Sequence, residues 1–169
     1  MFTINLSGQS LGDQDFLDFT VAELKTSRVP PEKICFEITE TAAISNLASA
    51  NHFMHALKQL GCLFALDDFG TGLSSFGYLK TLPVEYLKIS GIFIRDIMND
   101  SIDLAMVKSI NEIGHVMGKK TIAEYVENEE ILAKLCDLGV NYAQGFTIGK
   151  PERLDEIRFF NKPVSACKK

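Results

Sequence analysis

Apolar residues recur along the chain with two alternating spacings. Short runs rich in β-branched and aromatic residues alternate with longer segments in which apolar residues recur three or four positions apart. These two spacings are typical of buried strands and amphipathic helices. The pattern predicts six strands, over residues 2–6, 34–39, 63–68, 86–90, 120–126 and 142–146. The longest helical stripe between them consists of Ile102, Met106, Ile110, Ile113 and Met117.

The order of these segments predicts an α/β fold with a parallel sheet. Gly61, Gly118 and Gly139 stand where the helical patterns end, as helix-terminating glycines do. Each predicted strand carries a polar residue near its end, which favours a closed ring over an open sheet with one switch point. A (β/α) barrel usually has eight units in about 250 residues. A chain of 169 residues therefore predicts an incomplete TIM-like barrel of about six βα units.

Composition adds limits on the class of protein. The chain is 46% hydrophobic and 23% charged, and no linker divides it, so residues 1–169 are expected to form a single domain. No long apolar run predicts a membrane segment. A net charge of −5, with no basic run before Lys168 and Lys169, argues against DNA binding. The four cysteines form no CxxC pair. Three of them, Cys35, Cys62 and Cys136, lie in apolar segments and are expected to be reduced core thiols, which predicts a cytoplasmic location.

Polar side chains at the predicted strand ends suggest chemistry at one rim of the fold. In chain order they are Asn5, Glu37, Asp67, Asp68, Lys88, Glu124 and Gln144. Four carboxylates that close together must either take up protons or surround a cation. Oxygen donors suit Mg²⁺, Mn²⁺ or Ca²⁺ rather than zinc. Two such ions about 3.5–4 Å apart are typical of phosphoester hydrolysis, in which Lys88 could stabilise a phosphate oxygen.

A plainer interpretation applies to each of these residues taken singly. An acidic residue at a strand end is most often a helix cap or part of a solvated turn. Asp67 and Asp68 precede Gly70 and could form an Asx turn, and Glu40 could simply begin a helix. Only the series over successive strands favours a common site.

The motifs that carry these residues resemble those of the EAL domain family. They are INLS at 4–7, EITET at 37–41, DDFGTGLSS at 67–75, LKIS at 87–90, AEYVEN at 123–128 and QGFTIGKP at 144–151. The resemblance covers essentially residues 2 to 152. It implies an EAL-type (β/α)8 barrel with one strand reversed. It also implies hydrolysis of cyclic di-GMP to linear pGpG with Mg²⁺ or Mn²⁺.

The resemblance also assigns roles by position. It implies that Asn5, Glu37 and Asp67 bind a first metal ion, and that Asp67, Asp68 and Glu124 bind a second. Lys88, Glu124 and Asp68 would then be catalytic, while Gln144 and Asn5 would contact the substrate. A loop that couples dimerisation to metal binding is implied for residues 69–75. Its members are Phe69, Gly70, Thr71, Gly72, Ser74 and Ser75, and Glu40 would anchor it.

The chain departs from the family pattern at several positions. Only four residues precede Asn5, so the Glu-Ala-Leu signature and its metal-binding glutamate have no counterpart, and the N-terminal strand and helix units are expected to be absent. Ser90 replaces the usual aspartate after Lys88, Tyr125 replaces a glycine, and Asn128 replaces a threonine. We therefore expect this chain alone to be inactive, although its parent domain would be a phosphodiesterase.

An alternative is a degenerate EAL domain that acts as a cyclic di-GMP receptor or a protein-interaction module. For either function the resemblance implies a homodimer, and it allows an upstream sensory or GGDEF domain.

Overall fold

The computed structural model describes residues 1–72 and 77–153, and it contains one six-stranded sheet. The strands are β1 (Phe2–Leu6), β2 (Ile34–Thr39), β3 (Leu63–Phe69), β4 (Tyr86–Ile89), β5 (Lys120–Ala123) and β6 (Tyr142–Ala143). Neighbours in the sequence are neighbours in the sheet, and every pairing is parallel. This is the strand order of a TIM-like barrel. The prediction of an incomplete barrel is confirmed, with β1 and β6 at the edges of the described sheet.

Helices connect most of these strands on the outside. They are α1 (Gln14–Thr26), α2 (Glu40–Ser45), α3 (Leu47–Lys58), α4 (Gly91–Ile94), α5 (Ser101–Val116) and α6 (Glu129–Asp137). Side chains of Asp13, Asp100 and Asn128 cap α1, α5 and α6 by accepting hydrogen bonds from main-chain N–H groups. No helix in the described ranges combines the length and hydrophobicity needed to cross a bilayer.

The connection between β3 and β4 differs from the predicted strand–helix rhythm. Its described part contains only a short 3-10 helix, Tyr78–Lys80. Gly70, Gly72 and Gly77 lie in this connection, and glycine disfavours a continuous helix. The prediction of a full helix in every unit is therefore wrong at this position.

The core lies between the strands and the outer helices. Phe36 and Phe64 on β2 and β3 are almost fully buried, and their ring centroids are 5.7 Å apart. Met54 and Leu57 of α3 are completely buried. Burying side chains of this size stabilises the fold by about 1.5–3 kcal/mol each. This packing holds the helices against the sheet, and it fixes the relative positions of the strand ends that form the rim.

The buried face of α5 is shifted from the predicted apolar stripe. Ile102 is 71% exposed, whereas Val107, Ile110 and Gly114 are buried. A Cβ atom on Gly114 would lie 2.9 Å from the Thr121 side chain, so the helix packs closely on β5 there. This close approach sets the rotation of α5, and the prediction that Ile102 belongs to the buried stripe is wrong.

The cysteines fall into two classes. Cys35 and Cys62 are buried free thiols, as predicted. Cys136 is disulfide-bonded, so the expectation of a reduced thiol is wrong there. It is only half-buried on α6, where another thiol can reach it more easily than it could reach a core position.

The buried thiol of Cys35 should be chemically inert in the folded protein. Burial raises the pKa of Cys35 to about 12, and the nearby charges of Glu37 and Glu85 add to this. At about pH 8 only about 1 thiol in 10,000 would be ionised, and the thiolate is the reactive form. We expect iodoacetamide to leave Cys35 unmodified in the native chain and to modify it in guanidinium chloride, as measured by mass spectrometry. Labelling of the native protein at the rate of a free thiol would contradict this.

Candidate active site

Three carboxylates from separate strands surround one lysine at the carboxyl end of the sheet. The Nζ atom of Lys88 is 2.8 Å from Glu37 Oε2, 2.9 Å from Asp67 Oδ1 and 2.8 Å from Glu124 Oε1. These carboxylates come from β2, from β3 and from the residue after β5, whereas Lys88 is on β4. Parallel strands present their ends at the same rim, and this is why residues so distant in sequence meet.

The ion pairs lie largely out of water. The Lys88 side chain is 4% exposed, and that of Glu37 is 9% exposed. Burial disfavours the Lys88 ammonium, but hydrogen bonds to Glu124, Glu37 and Asp67 outweigh burial and raise its pKa above the ordinary range. Lys88 is therefore a permanent positive charge, and it neutralises part of the negative charge of the rim.

Glu124 has the opposite balance of effects. Burial raises its pKa, and the charges of Asp67 and Asp68 add to this, whereas Lys88 opposes it. Proton uptake by Glu124 is therefore easier than by an exposed glutamate. A carboxyl whose pKa is raised in this way is suited to proton transfer.

A bulge in β3 separates the directions of Asp67 and Asp68. Leu66 pairs with Leu87 and Phe69 pairs with Ile89, so β3 has one residue more than β4 between these two pairs. Asp68 lies in this bulge with φ of +52°, a conformation that non-glycine residues rarely adopt. Bulges commonly redirect side chains beside active sites. Here Asp67 contacts Lys88, whereas Asp68 contacts Ser90, and both carboxylates line the neighbouring cavity.

Ser90 has a specific partner at this site. Its hydroxyl lies 3.1 Å from Asp68 Oδ1 and donates a hydrogen bond to it. Ser90 is 3% exposed, whereas Asp68 is exposed, so the bond joins a buried donor to a carboxylate at the surface of the cavity. The sequence predicted only that a neutral residue here removes a carboxylate near Lys88. The structure shows that Ser90 holds Asp68.

A cavity of about 490 Å³ adjoins the carboxylates, which is within the usual size range of small-molecule sites. Gln144, Asp67, Asp68 and Glu124 all line it. Its wall also includes residues that the sequence did not predict, namely Ile92, Arg95, Tyr125, Glu127 and Phe146. Of these, only Tyr125 carried a signal, since it stands at a position where the family has glycine.

Two predicted site residues are placed chiefly by the backbone. Asn5 is opposite Glu37 in the register of β1 and β2. The Gln144 carbonyl accepts a hydrogen bond from the Val126 N–H at 3.1 Å. A Cβ on Gly145 would lie 2.3 Å from the Val126 main chain, so only glycine allows this approach. The chain after β6 is thereby held beside Glu124.

Glu40 fixes the main chain that follows β3. It is fully buried, and its carboxylate accepts hydrogen bonds from Gly70 N–H at 2.9 Å and from Gly72 N–H at 3.3 Å. The Tyr78 hydroxyl also donates to it. Phe69 is completely buried, and the Thr71 hydroxyl donates to the Asp68 carbonyl. Ser74 and Ser75, also predicted for this loop, lie outside the described residues.

The donor chemistry of the rim fits a divalent cation, but the carboxylates are arranged around Lys88. Glu37, Asp67, Asp68 and Glu124 supply oxygen atoms of the kind that Mg²⁺ and Mn²⁺ prefer. Within residues 1–72 and 77–153, no three acidic, histidine or cysteine side chains are grouped closely enough to hold a metal ion. The assignment of Asn5 and these carboxylates as metal ligands therefore stays a prediction.

Comparisons with known proteins identify the family of the chain. The EAL domain model matches residues 1–151. The chain belongs to the EAL domain family. It is 46% identical over 152 residues to the cyclic di-GMP phosphodiesterase PdeB of Shewanella oneidensis, which covers 90% of this chain and 18% of PdeB. The chain thus spans about a fifth of the length of this curated relative.

Solved EAL structures have the same fold. The PaMucR phosphodiesterase in complex with c-di-GMP superposes with a TM-score of 0.86 at 34% identity, over 91% of this chain and 62% of that chain. The FimX EAL domain from Pseudomonas aeruginosa, bound to c-di-GMP, gives 0.86 at 33% identity, over 94% of this chain and 65% of that chain. The predicted EAL-type barrel is therefore confirmed.

Replacing Lys88 tests whether its positive charge stabilises the carboxylates of the rim. We expect Lys88→Met to lower the free energy of unfolding by about 3–5 kcal/mol, because it leaves buried carboxylates without their cation. Added Mg²⁺ should restore part of this loss by binding the native state. Thermal denaturation with and without Mg²⁺ measures both effects.

Lys119→Met is the matched control, since Lys119 is half-buried and donates to the Leu82 and Val84 carbonyls, away from the carboxylates. It should lose stability and respond to Mg²⁺ no more than the unmodified chain does. An equal response of both variants to Mg²⁺ would contradict the proposed balance.

The contacts of Glu40 predict a separate effect on the segment after β3. Glu40→Gln should destabilise the fold by about 1–3 kcal/mol, because the amide cannot accept every hydrogen bond that the carboxylate accepts. Hydrogen exchange at Gly70 and Gly72 should accelerate more than exchange in β2. The exposed Glu23→Gln variant is the control and should change neither quantity. Unchanged exchange at both glycines would show that Glu40 does not hold this segment.

Proposed function

We propose that this chain carries the catalytic rim of a cyclic di-GMP phosphodiesterase, which hydrolyses the cyclic dinucleotide to linear pGpG. The observation that supports this most directly is the meeting of Glu37, Asp67 and Glu124 at Lys88, beside a cavity of about 490 Å³. The likeness to PdeB and PaMucR supports the choice of substrate.

The proposed cofactor is Mg²⁺ or Mn²⁺. Asn5, Glu37 and Asp67 would hold a first ion, and Asp67, Asp68 and Glu124 a second. When bound, such ions polarise the phosphate and lower the pKa of a water molecule. Further positive charge is needed at the rim, because Lys88 supplies only one positive charge to four carboxylates.

Each side chain of the site has a separate role in this hydrolysis. Lys88 orients the attacking water and stabilises negative charge on the phosphate oxygens. The raised pKa of Glu124 suits it to accept a proton as the water attacks phosphorus. Ser90 keeps Asp68 in position through its hydrogen bond, and Gln144 and Asn5 contact the substrate. One P–O ester bond of the ring breaks, and the phosphate stays on the linear product.

A receptor or interaction module is the second candidate. It is favoured by Ser90 in place of the family's aspartate. It is also favoured by the likeness to the FimX EAL domain, whose structure contains c-di-GMP. In this function the rim would bind the dinucleotide without hydrolysing it.

The setting of the domain is also a proposal. We propose a cytoplasmic homodimer, with the segment 69–75 coupling dimer contacts to the rim, and an upstream sensory or GGDEF domain as the source of the signal. Further residues are proposed to complete the ring and to add the glutamate of the Glu-Ala-Leu signature. This agrees with the chain covering 62% of the PaMucR structure. By itself the chain is therefore expected to turn over little substrate.

Turnover by a completed domain tests the proposed function. The chain would be fused behind the segment of PdeB that precedes the matching region. We expect this chimera to release pGpG with Mg²⁺ or Mn²⁺ and to stop when EDTA is added, as followed by liquid chromatography. Lys88→Met in the chimera should lower kcat by about 10²–10³-fold, since one charge that stabilises the transition state is lost.

Binding measurements separate the two candidates. Calorimetry with cyclic di-GMP should show binding by the chimera and, more weakly, by the 169-residue chain. Tight binding of cyclic di-GMP without turnover, with Mg²⁺ or with Mn²⁺, would favour the receptor over the phosphodiesterase. Absence of both would leave only an interaction module.

A further inference from the structure

A stacked pair of side chains stands on the wall of the cavity, outside the carboxylate cluster. The guanidinium carbon of Arg95 lies 3.9 Å from the centre of the Tyr125 ring. Both residues line the cavity that Asp68, Glu124 and Gln144 also line. Tyr125 is 47% exposed, so the pair remains accessible to a ligand.

The backbone at Tyr125 is held in an unfavourable conformation. Its φ is +60°, and Asp68 is the only other non-glycine residue with positive φ in the described ranges. Both of these residues line the same cavity. Strained residues persist where the surrounding structure fixes them and commonly mark functional sites. Tyr125 therefore takes a conformation that its own backbone preference disfavours, and the surrounding structure holds it there.

A neighbouring glycine makes room for the tyrosine. A Cβ atom on Gly91 would lie 2.8 Å from Tyr125 Cβ and 3.1 Å from its Cγ. Any larger residue at position 91 would displace the ring. Gly91 and Tyr125 thus fit together, and their contact fixes the ring where Arg95 covers it.

Arg95 leaves its charge available to the cavity. Its side chain is exposed, and within the described part of the chain it forms no ion pair. The planar guanidinium can stack on an aromatic surface and also on a base. Phe146 is 61% exposed and lines the same cavity, which adds a second aromatic surface.

We propose that Arg95 and Tyr125 form a stacking site for a purine base of the nucleotide substrate. This inference rests on the proposed function. In this binding mode the phosphate of the ligand lies at the end of the cavity that Asp67, Asp68 and Glu124 line, and a base joined to it through ribose extends along the wall. Aromatic and guanidinium planes bind base faces by stacking, which is a contact that phosphate cannot make. Tyr125 and Arg95 are therefore binding residues, whereas the reacting atoms are handled elsewhere.

Two small ligands separate base stacking from phosphate binding. GMP carries the base, whereas ribose 5-phosphate has the same sugar phosphate without it. Calorimetry on the 169-residue chain with Mg²⁺ should show that Tyr125→Gly weakens GMP binding by about 5- to 100-fold. Binding of ribose 5-phosphate should change less than about twofold. Tyr125→Phe keeps the ring and should bind both ligands as the unmodified chain does.

The stability of the same variants excludes a folding defect. Glycine accepts positive φ without strain, so Tyr125→Gly should melt at the same temperature or higher. Arg95→Lys keeps the charge but loses the plane, and should weaken GMP binding severalfold while sparing ribose 5-phosphate. Tyr142→Ala is the matched control. It removes an aromatic ring on β6 that packs beside Lys120 of β5, and it should alter neither affinity.

Specific outcomes would overturn the inference. These are unchanged GMP affinity in Tyr125→Gly, an equal loss for both ligands, or no measurable GMP binding by the unmodified chain. The proposed function is tested separately by turnover in the chimera. An unchanged KM for cyclic di-GMP in a Tyr125→Gly chimera would remove the stacking site and leave the phosphodiesterase intact. If the chimera shows no turnover but its Tyr125→Gly variant still loses GMP binding selectively, the stacking site stands and the phosphodiesterase proposal falls.

Discussion

The attraction between the Lys88 ammonium and three carboxylates is the constraint on which the rim depends. Bringing Glu37, Asp67 and Glu124 together in a buried place is unfavourable unless a positive charge compensates them. Lys88 supplies that charge from β4, between the strands that carry the acids. The same gathering of oxygen atoms is what makes the rim suitable for a divalent cation. Stability of the fold and the proposed chemistry therefore depend on the same charges.

The backbone beside this cluster departs from regular structure in two places, and both serve the cavity. The bulge in β3 directs Asp67 to Lys88 and Asp68 to Ser90, and both carboxylates line the cavity. Tyr125 follows Glu124 directly and takes a positive φ that brings its ring under Arg95. Regular strands and helices elsewhere supply the stability that offsets such local strain.

Periodicity predicted the strands well because a buried parallel strand needs a nearly continuous apolar run. β1 and β2 agree with the predicted ranges, and β3 is one residue longer. The predicted ends of the last three strands are wrong, because β4, β5 and β6 end at Ile89, Ala123 and Ala143 and not at residues 90, 126 and 146. The errors have local causes. Ile102 is exposed because the close contact at Gly114 fixes the rotation of α5. The described part of the glycine-containing connection after β3 forms only a short 3-10 turn in place of the predicted helix. The Cys136 disulfide depends on which thiols meet in space, which spacing does not encode.

The sequence by itself determined the parallel α/β architecture, the EAL resemblance and the set of polar residues at the strand ends. These follow from local patterns, because side-chain spacing and strand direction fix which residues reach one rim. Only the tertiary structure decided how those residues pair. It placed Lys88 among three carboxylates, joined Ser90 to Asp68, and stacked Arg95 on Tyr125. Contacts of this kind depend on bulges, strained backbone and close approach between distant segments, and no local pattern specifies them.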